Sequence, residues 1–399
     1  MPWPLDNTKL DRVRSLMKDQ DLSVLVVRAP DNVLYLTNYW CMKGYAVVVF
    51  PREGQPTLTA LEPQEGDAHR NSWTQDIRLF KSYHPSDPRP PQFRALDVAI
   101  DVLKHGGLTD KVAVELNMGT QSSDRMVGEP TTPTQYFFDA FRKVAGQVVD
   151  STPLLSEARA IKTDQEIERM RLANELAALA MDHTREHLRP GMKESEAGAM
   201  YESFVHGLGV GYKGKVEMAR AFTLVWSGKG IATFTATGDR PVQKNEPTLF
   251  EIWVCVDGYW TDLTKNACPG ELTPDYHGLL DLLLKVFNEA AAFARDGASF
   301  PELDRLVRSR IDEGGYPGQP SHPICHGVGA RAHEPPYAHQ AGTGIMKKGM
   351  VLAIEPGIYW PGGGGLRLED NFLITDSGSE KMCNYPDDFR LAGRQNASS

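Results

Sequence analysis

Apolar positions follow two rhythms along this chain, and the rhythm changes near residue 150. Before that point, short apolar runs alternate with stretches of helical period. A helix is predicted at residues 10–18, an apolar strand at 22–27, a turn at Pro30–Asp31 and a short apolar run at 33–36. A buried strand at 45–50 follows, closed by a turn at 51–54. Helices at 93–105 and 134–144, strands at 112–114 and 147–150, and a proline-rich loop at 82–92 complete this half. Strands alternating with helices predict a mixed or parallel sheet with helices on its faces.

Beyond Asp150, residues 151–163 read as a linker or surface crossing. A long amphipathic helix is predicted from Asp164, as N-cap, to about His187, where Arg189-Pro190-Gly191 stops it. A second helix spans 194–207, and two more lie near 276–294 and 300–313. Between them run strands and glycine-rich turns, with no fixed short repeat and no low-complexity block, and a polar tail at 393–399. A chain of 399 residues exceeds one ordinary core. Two domains are expected, 1–155 and 156–399, of mixed α+β class.

The second half carries the candidate chemistry. Runs 250–256 and 259–265 are joined by Asp257-Gly258, a hairpin signal. A two-residue turn sets position 262 opposite 253, so Glu251 and Asp262 project from one face as diagonal neighbours. A solvated face could also carry two acids, but Phe250, Ile252, Trp253 and Leu263 around them argue for burial. Buried acids at that spacing repel unless a cation or proton lies between them. Runs 350–359 and 366–375, around 361–365, repeat the arrangement and bring Glu355 together with Glu369.

Between the hairpins, His322, His326 and His333 place three of the eleven histidines within twelve residues. His326 precedes Gly327, so its ring can approach a backbone that no side chain obstructs, and its neutral imidazole completes a carboxylate-rich set. Glu251, Asp262, His326, Glu355 and Glu369 together suit a pair of hard divalent ions. His322 and His333 then stand on the substrate side. Cys325 beside His326 reads as a small buried filler rather than a nucleophile.

Composition bounds the partners. Hydrophobic residues make up 41% and charged residues 24%, as in a globular protein, and the net charge of −9 excludes nucleic acid and anionic membrane as main partners. No apolar run is long enough to span a bilayer, and the start MPWPLDNTKLDRVRS shows no secretory signal. Five scattered cysteines without CxxC spacing fit a reduced, cytoplasmic chain without disulfides.

These residues resemble a known family. From Glu166 to Lys381 the chain is similar to the catalytic domain of the creatinase, prolidase and methionine aminopeptidase superfamily, family M24, with its pita-bread fold. The resemblance is carried by the entry helix opening at Ala160 to Met170, by His326-Gly-Val-Gly through His333-Glu-Pro-Pro, by Ile354-Glu-Pro-Gly-Ile-Tyr359, and by Arg367-Leu-Glu-Asp-Asn. Residues 1 to about 155 resemble the creatinase-type α/β N-terminal domain of prolidases, aminopeptidases P and creatinases. The resemblance implies two divalent ions, among manganese, cobalt, zinc and iron, with Asp262, His326, Glu355 and Glu369 matching four of five ligands. It implies Glu355 as general base, His333 at the tetrahedral intermediate, His322 on substrate and Arg367 organising the ligands, with Tyr359 a further substrate contact.

Two positions depart from the family pattern. The first ligand is normally aspartate in an Asp-x-Gly context, where this chain has Glu251. A substrate histidine is normally found some seventeen residues upstream of it, where this chain has Phe234 as a pocket wall. The leading expectation is a metal-dependent hydrolase of a C–N bond, Xaa-Pro dipeptidase-like, acting on a dipeptide. A creatinase- or ectoine-hydrolase-like amidohydrolase with weak or no metal is the alternative, with Lys43 or Arg331 binding a substrate carboxylate, and an inactive binding module is a third. A homodimer is implied, in which the loop carrying Trp40 and Lys43 reaches the partner's site.

Overall fold

The computed structural model describes residues 3–41, 45–116, 135–231, 235–360 and 363–391. The chain divides into two compact units, Met1–Arg159 and Ala160–Ser399. In the first the elements run α1 (Asn7–Asp19), β1 (Val24–Val27), α2 (Pro30–Thr37), β2 (Val48–Pro51), β3 (Thr57–Leu61), α3 (Glu65–Asn71) and β4 (Asp76–Phe80). Then come α4 (Pro91–His105), β5 (Lys111–Val114), α5 (Gln135–Arg142), β6 (Gln147–Asp150) and α6 (Thr152–Ala160). The strands form one mixed sheet in the order β4-β3-β2-β1-β5-β6, parallel between β1, β5 and β6 and antiparallel between β1 and β2. Alternate residues of β1 feed two cores. Leu25 and Val27 pack with Leu10, Val13 and Leu155, while Val24 and Val26 pack with Leu96, Leu103 and Phe141. A central strand covered on both faces is therefore apolar at every position.

Two expectations for this unit are corrected. The turn at Pro30–Asp31 and the run at 33–36 are one helix, α2, with Pro30 in its first turn and Asn38 closing it in the left-handed region. A short apolar run does not distinguish strand from buried helix. The stretch 151–163 is not a free linker, since α6 occupies most of it and buries Leu154, Leu155 and Ala158 in the first unit's core.

The second unit runs α7 (Asp164–His187), α8 (Glu194–Gly209), β7 (Ala219–Ser227), β8 (Thr248–Val256), β9 (Tyr259–Trp260), β10 (Leu263–Ala267), α9 (Pro274–Phe293) and α10 (Phe300–Glu313). It ends with β11 (Cys325–Gly327), β12 (Glu334–Tyr337), β13 (Val351–Ile354), β14 (Gly357–Trp360), β15 (Gly364–Arg367), β16 (Asp370–Ile374) and β17 (Ser379–Lys381). The N-cap of α7 is Thr163 rather than Asp164. Its hydroxyl accepts from Glu166 N while Glu166 accepts from Thr163 N, a reciprocal capping box.

One sheet orders β10-β8-β7 with β9 also on β8, and another orders β12-β11-β13-β16-β17. Helices α7 and α8 pack on β7 and β8. Leu283 and Phe287 of α9 and Val307 of α10 share a core with Leu352, Ile354 and Phe372 of the other sheet. Two helix-backed sheets thus enclose the functional residues.

Candidate metal centre

Each acid is set by its hairpin. Asp257 (φ 45°) and Gly258 (φ 88°) both take left-handed conformations, the geometry a primed two-residue turn needs. The pairs Cys255↔Trp260 and Ile252↔Leu263 keep one register, so Asp262 falls opposite Trp253 as the alternation predicts. At Asp262 the ladder changes partner. Its N–H donates to Asn371 Oδ1 at 3.2 Å and its carbonyl accepts from Asn371 Nδ2 at 2.7 Å, which ties β10 to β16. In the second hairpin Ile354↔Asp370 and Gly357↔Arg367 flank Glu355 and Glu369 in direct opposition. Thr264 Oγ1 donates to Glu369 Oε2 at 2.7 Å.

His326 lies mid-strand in β11 against Ala353. A Cβ on Gly327 would meet Pro335 O at 2.6 Å, so the glycine permits the close approach of β12 beside the ring. His326 Nδ1 donates to the Gly327 carbonyl at 3.0 Å, which fixes the tautomer and leaves Nε2 with its lone pair. That nitrogen is buried without a hydrogen-bond partner. It stands 3.5 Å from both Asp262 Oδ2 and Glu355 Oε1. His333 Nε2 is 3.2 Å from Asp262 Oδ2, with its ring centroid 4.5 Å from that of His326. His322 donates from Nδ1 to Pro323 O at 2.6 Å and accepts at Nε2 from Tyr359 Oη at 3.1 Å. Arg367 forms an ion pair with Glu251 at 2.5 Å and donates to Thr264 Oγ1 and Tyr359 Oη.

This arrangement invites comparison with known proteins. Residues 168–376 match the model of metallopeptidase family M24, and residues 9–161 match the creatinase/prolidase N-terminal domain. The chain belongs to metallopeptidase family M24. Over 381 residues it is 32% identical to an uncharacterized peptidase, SSP1059, of Staphylococcus saprophyticus, covering 94% of this chain and 99% of the relative. The prolidase from Pyrococcus horikoshii OT3 superposes with a TM-score of 0.78 at 22% identity, over 96% of this chain and 100% of that one. The Xaa-Pro dipeptidase from Bacillus anthracis superposes equally, TM-score 0.78 at 22% identity, over 95% and 98%. The architecture is thus the M24 one, a creatinase-type N-terminal domain and a pita-bread catalytic domain, and the chain is a hydrolase of peptide bonds.

The electrostatics of this cluster are those of buried acids crowded around one cation, Arg367. Burial pushes the Glu355 carboxyl well above the usual range, and the charges of Glu369, Asp262 and Glu251 push it further. Glu369 is raised for the same first reason, with Arg367 opposing. Burial holds His326 neutral, helped by His333, and brings His322 down to about 3. Burial works against the Arg367 charge, but Glu251 and the other anions outweigh it and keep the guanidinium protonated. Three sets of donors lie within 4.8 Å of one another: Asp262, His326 and His333; His326, Glu355 and Glu369; and Glu251, Asp262 and Glu369. A bare imidazole nitrogen facing carboxylates that burial disfavours as anions is a donor set fitted to divalent cations.

Of the residues singled out in the sequence, Glu251, Asp262, His322, His326, His333, Glu355, Tyr359, Glu369 and Arg367 come together here. Arg331 is half-buried on the loop before His333. Trp40 lies after α2 in the first unit, and Phe234 and Lys43 fall outside the described residues. Cys325 is fully buried with its thiol pushed well up by burial, which makes it packing. Sequence reasoning missed Asn371, Thr264 and Lys265. Polar side chains at 264 and 265 within a fully buried strand are the signal that marks two of them, whereas Asn371 stood in the Arg367-Leu-Glu-Asp-Asn run without a role of its own.

Proposed function

We propose that this chain is a metal-dependent dipeptidase of Xaa-Pro type, with Glu251, Asp262, His326, Glu355 and Glu369 holding two divalent ions. The observation that carries the reading is the buried, partnerless Nε2 of His326 turned toward Asp262 and Glu355. The names of the prolidase and Xaa-Pro dipeptidase neighbours support the substrate class. When bound, such ions would lower the pKa of a water and polarise the scissile carbonyl.

The chain's own residues do the rest. Glu355, 3.5 Å from His326 Nε2 and 3.4 Å from His322 Nδ1, acts in the ionised form that bound cations restore against the effect of burial, taking the proton of the attacking water and passing it to the leaving nitrogen. His333, half-buried and 3.2 Å from Asp262, steadies the substrate carbonyl as it becomes tetrahedral. His322 contacts Glu355 at 3.4 Å and orients Tyr359, which faces the substrate together with Arg367. Four carboxylates with one imidazole suit manganese among the candidate ions.

One observation favours the amidohydrolase alternative, the engagement of Glu251 by Arg367 at 2.5 Å. Hydrolysis of Gly-Pro and Ala-Pro before and after chelation separates the two. The dipeptidase reading expects activity that chelation abolishes and manganese restores, and activity indifferent to chelation overturns it. The same reading includes a homodimer in a reducing compartment, and sedimentation tests the dimer. Among the described residues no helix is long and apolar enough to cross a membrane.

A further inference from the structure

Two stretches that carry the family resemblance have no part in the ligand set: Ile161-Lys162-Thr163 at the entry to α7, and Glu334, which directly follows His333. The fold brings them together. Lys162 Nζ donates to Glu334 Oε1 at 2.9 Å with both side chains buried, and Lys162 N donates to the Gly349 carbonyl at 2.8 Å. A Cβ on Gly329 would collide with Glu334 Oε1 and stand 3.0 Å from Lys162 Cε, so glycine is what lets the pair close beside the turn that leads to His333. Four residues after Lys162, Glu166 Oε1 accepts from Tyr259 Oη at 2.9 Å, and Trp260 N donates to the Gly329 carbonyl at 2.8 Å. Tyr259 and Trp260 belong to the hairpin that presents Asp262. The start of α7 thus anchors both sides of the 3.2 Å contact between His333 Nε2 and Asp262 Oδ2. A buried ion pair stabilises no better than apolar packing of the same volume, because desolvation offsets its attraction. What it supplies instead is a fixed direction and length.

We infer that Lys162 is a positioning residue for His333. Its ammonium holds the Glu334 carboxylate, and Glu334 holds the peptide unit it shares with His333. The imidazole is thereby kept beside Asp262 and aimed at the substrate carbonyl. This inference rests on the dipeptidase reading, in which His333 steadies that carbonyl, and adds the residue that aims it. The consequence is kinetic. A misdirected His333 loses a contact made as the carbonyl becomes tetrahedral, which lowers kcat and leaves substrate binding and the metal-ligand carboxylates alone. General loosening of the sheets would instead weaken metal binding and substrate binding along with kcat.

The test measures kcat and KM for Gly-Pro, and manganese affinity by calorimetry, in Lys162→Met and in the paired replacement of Lys162→Met with Glu334→Gln. Each is made in the wild type and in His333→Ala. The paired replacement keeps the packing and leaves no buried charge unmatched, so it serves if Lys162→Met alone fails to fold. Expected in the wild type is a kcat lowered roughly tenfold to a hundredfold, the effect of a displaced catalytic group, with KM and manganese affinity unchanged. In His333→Ala the same replacement is expected to cost less than about twofold, because its effect runs through the missing ring. An unchanged kcat in the wild type, an equal drop in His333→Ala, or a parallel loss of manganese affinity overturns the inference and leaves the dipeptidase reading standing. A manganese-loaded wild type inactive on Gly-Pro removes that reading and the inference with it. Where His333→Ala is too slow to measure, the split between a lowered kcat and an unchanged KM and manganese affinity decides alone.

Discussion

Replacing Lys265 by methionine tests how the seam between the two sheets holds Glu369. Lys265 is fully buried, and its ammonium donates to Asp370 Oδ2 at 2.6 Å, to the Glu369 carbonyl at 3.0 Å and to Asp387 Oδ1 at 3.2 Å. Burial alone would strip its proton, but Asp370 and Asp387 outweigh that and keep it charged. Methionine retains most of the methylene packing and removes the charge. Asp370 is then left with Lys381 at 3.4 Å as its remaining cation in the cluster. Breaking a buried pair by deleting one partner costs about 3–5 kcal/mol. Urea unfolding of the metal-free protein reads this directly.

The sign of the pH dependence follows from Asp370. Its folded pKa is raised by burial even with Lys265 present, and more so without it. The protonated form is therefore stabilising below the unfolded value of about 4, and that contribution is lost as pH rises through the higher folded value. The deficit of Lys265→Met should widen between pH 5 and pH 8. Since the Glu369 carbonyl loses its donor, manganese affinity by calorimetry should also fall, by about tenfold, and Lys265→Arg should recover part of it. A variant within 1 kcal/mol of wild type at pH 8, with unchanged manganese affinity, would refute the reasoning.

Other consequences are simpler to check. The metal-free protein should lose thermal stability as pH rises from about 5 to 8, because Glu355 and Glu369 have raised folded pKa values whose contribution is present below about 4.3 and lost above it. Added manganese should cancel the loss, and a flat profile without metal contradicts the acid-cluster electrostatics. Glu251→Asp draws the carboxylate back from Arg367 and should raise manganese affinity and Gly-Pro turnover by roughly tenfold, about 1.4 kcal/mol. Leu283→Ala, at 0% exposure in the core beneath β13 and β16, should cost about 2–5 kcal/mol in urea unfolding while leaving manganese affinity alone.

How much of this was legible in the sequence depends on range. The first hairpin follows from Asp257-Gly258, since few dipeptides accept two left-handed conformations, and period two then sets Asp262 opposite Trp253. The second hairpin follows from the same alternation, which is why Glu355 and Glu369 could be paired from spacing. His326 stood out through its neighbours rather than its strand, which is only three residues long. What failed was information that no window contains. The run at 33–36 is helical because its surroundings bury all of it, and α6 is a helix because the first unit's core needs its leucines. The joining of β10 to β16 by Asn371, and the engagement of Glu251 by Arg367, pair residues more than a hundred positions apart. Their partners exist only once the two sheets have met.

The central claim is that the acid cluster is a two-ion site. Elemental analysis of freshly purified protein, dialysed against metal-free buffer and then titrated with manganese, tests it most directly. The account predicts two manganese ions per chain at saturation, falling to one or none in Asp262→Ala and His326→Ala. Metal near zero in the wild type at saturating manganese, with Gly-Pro hydrolysis intact, would contradict it.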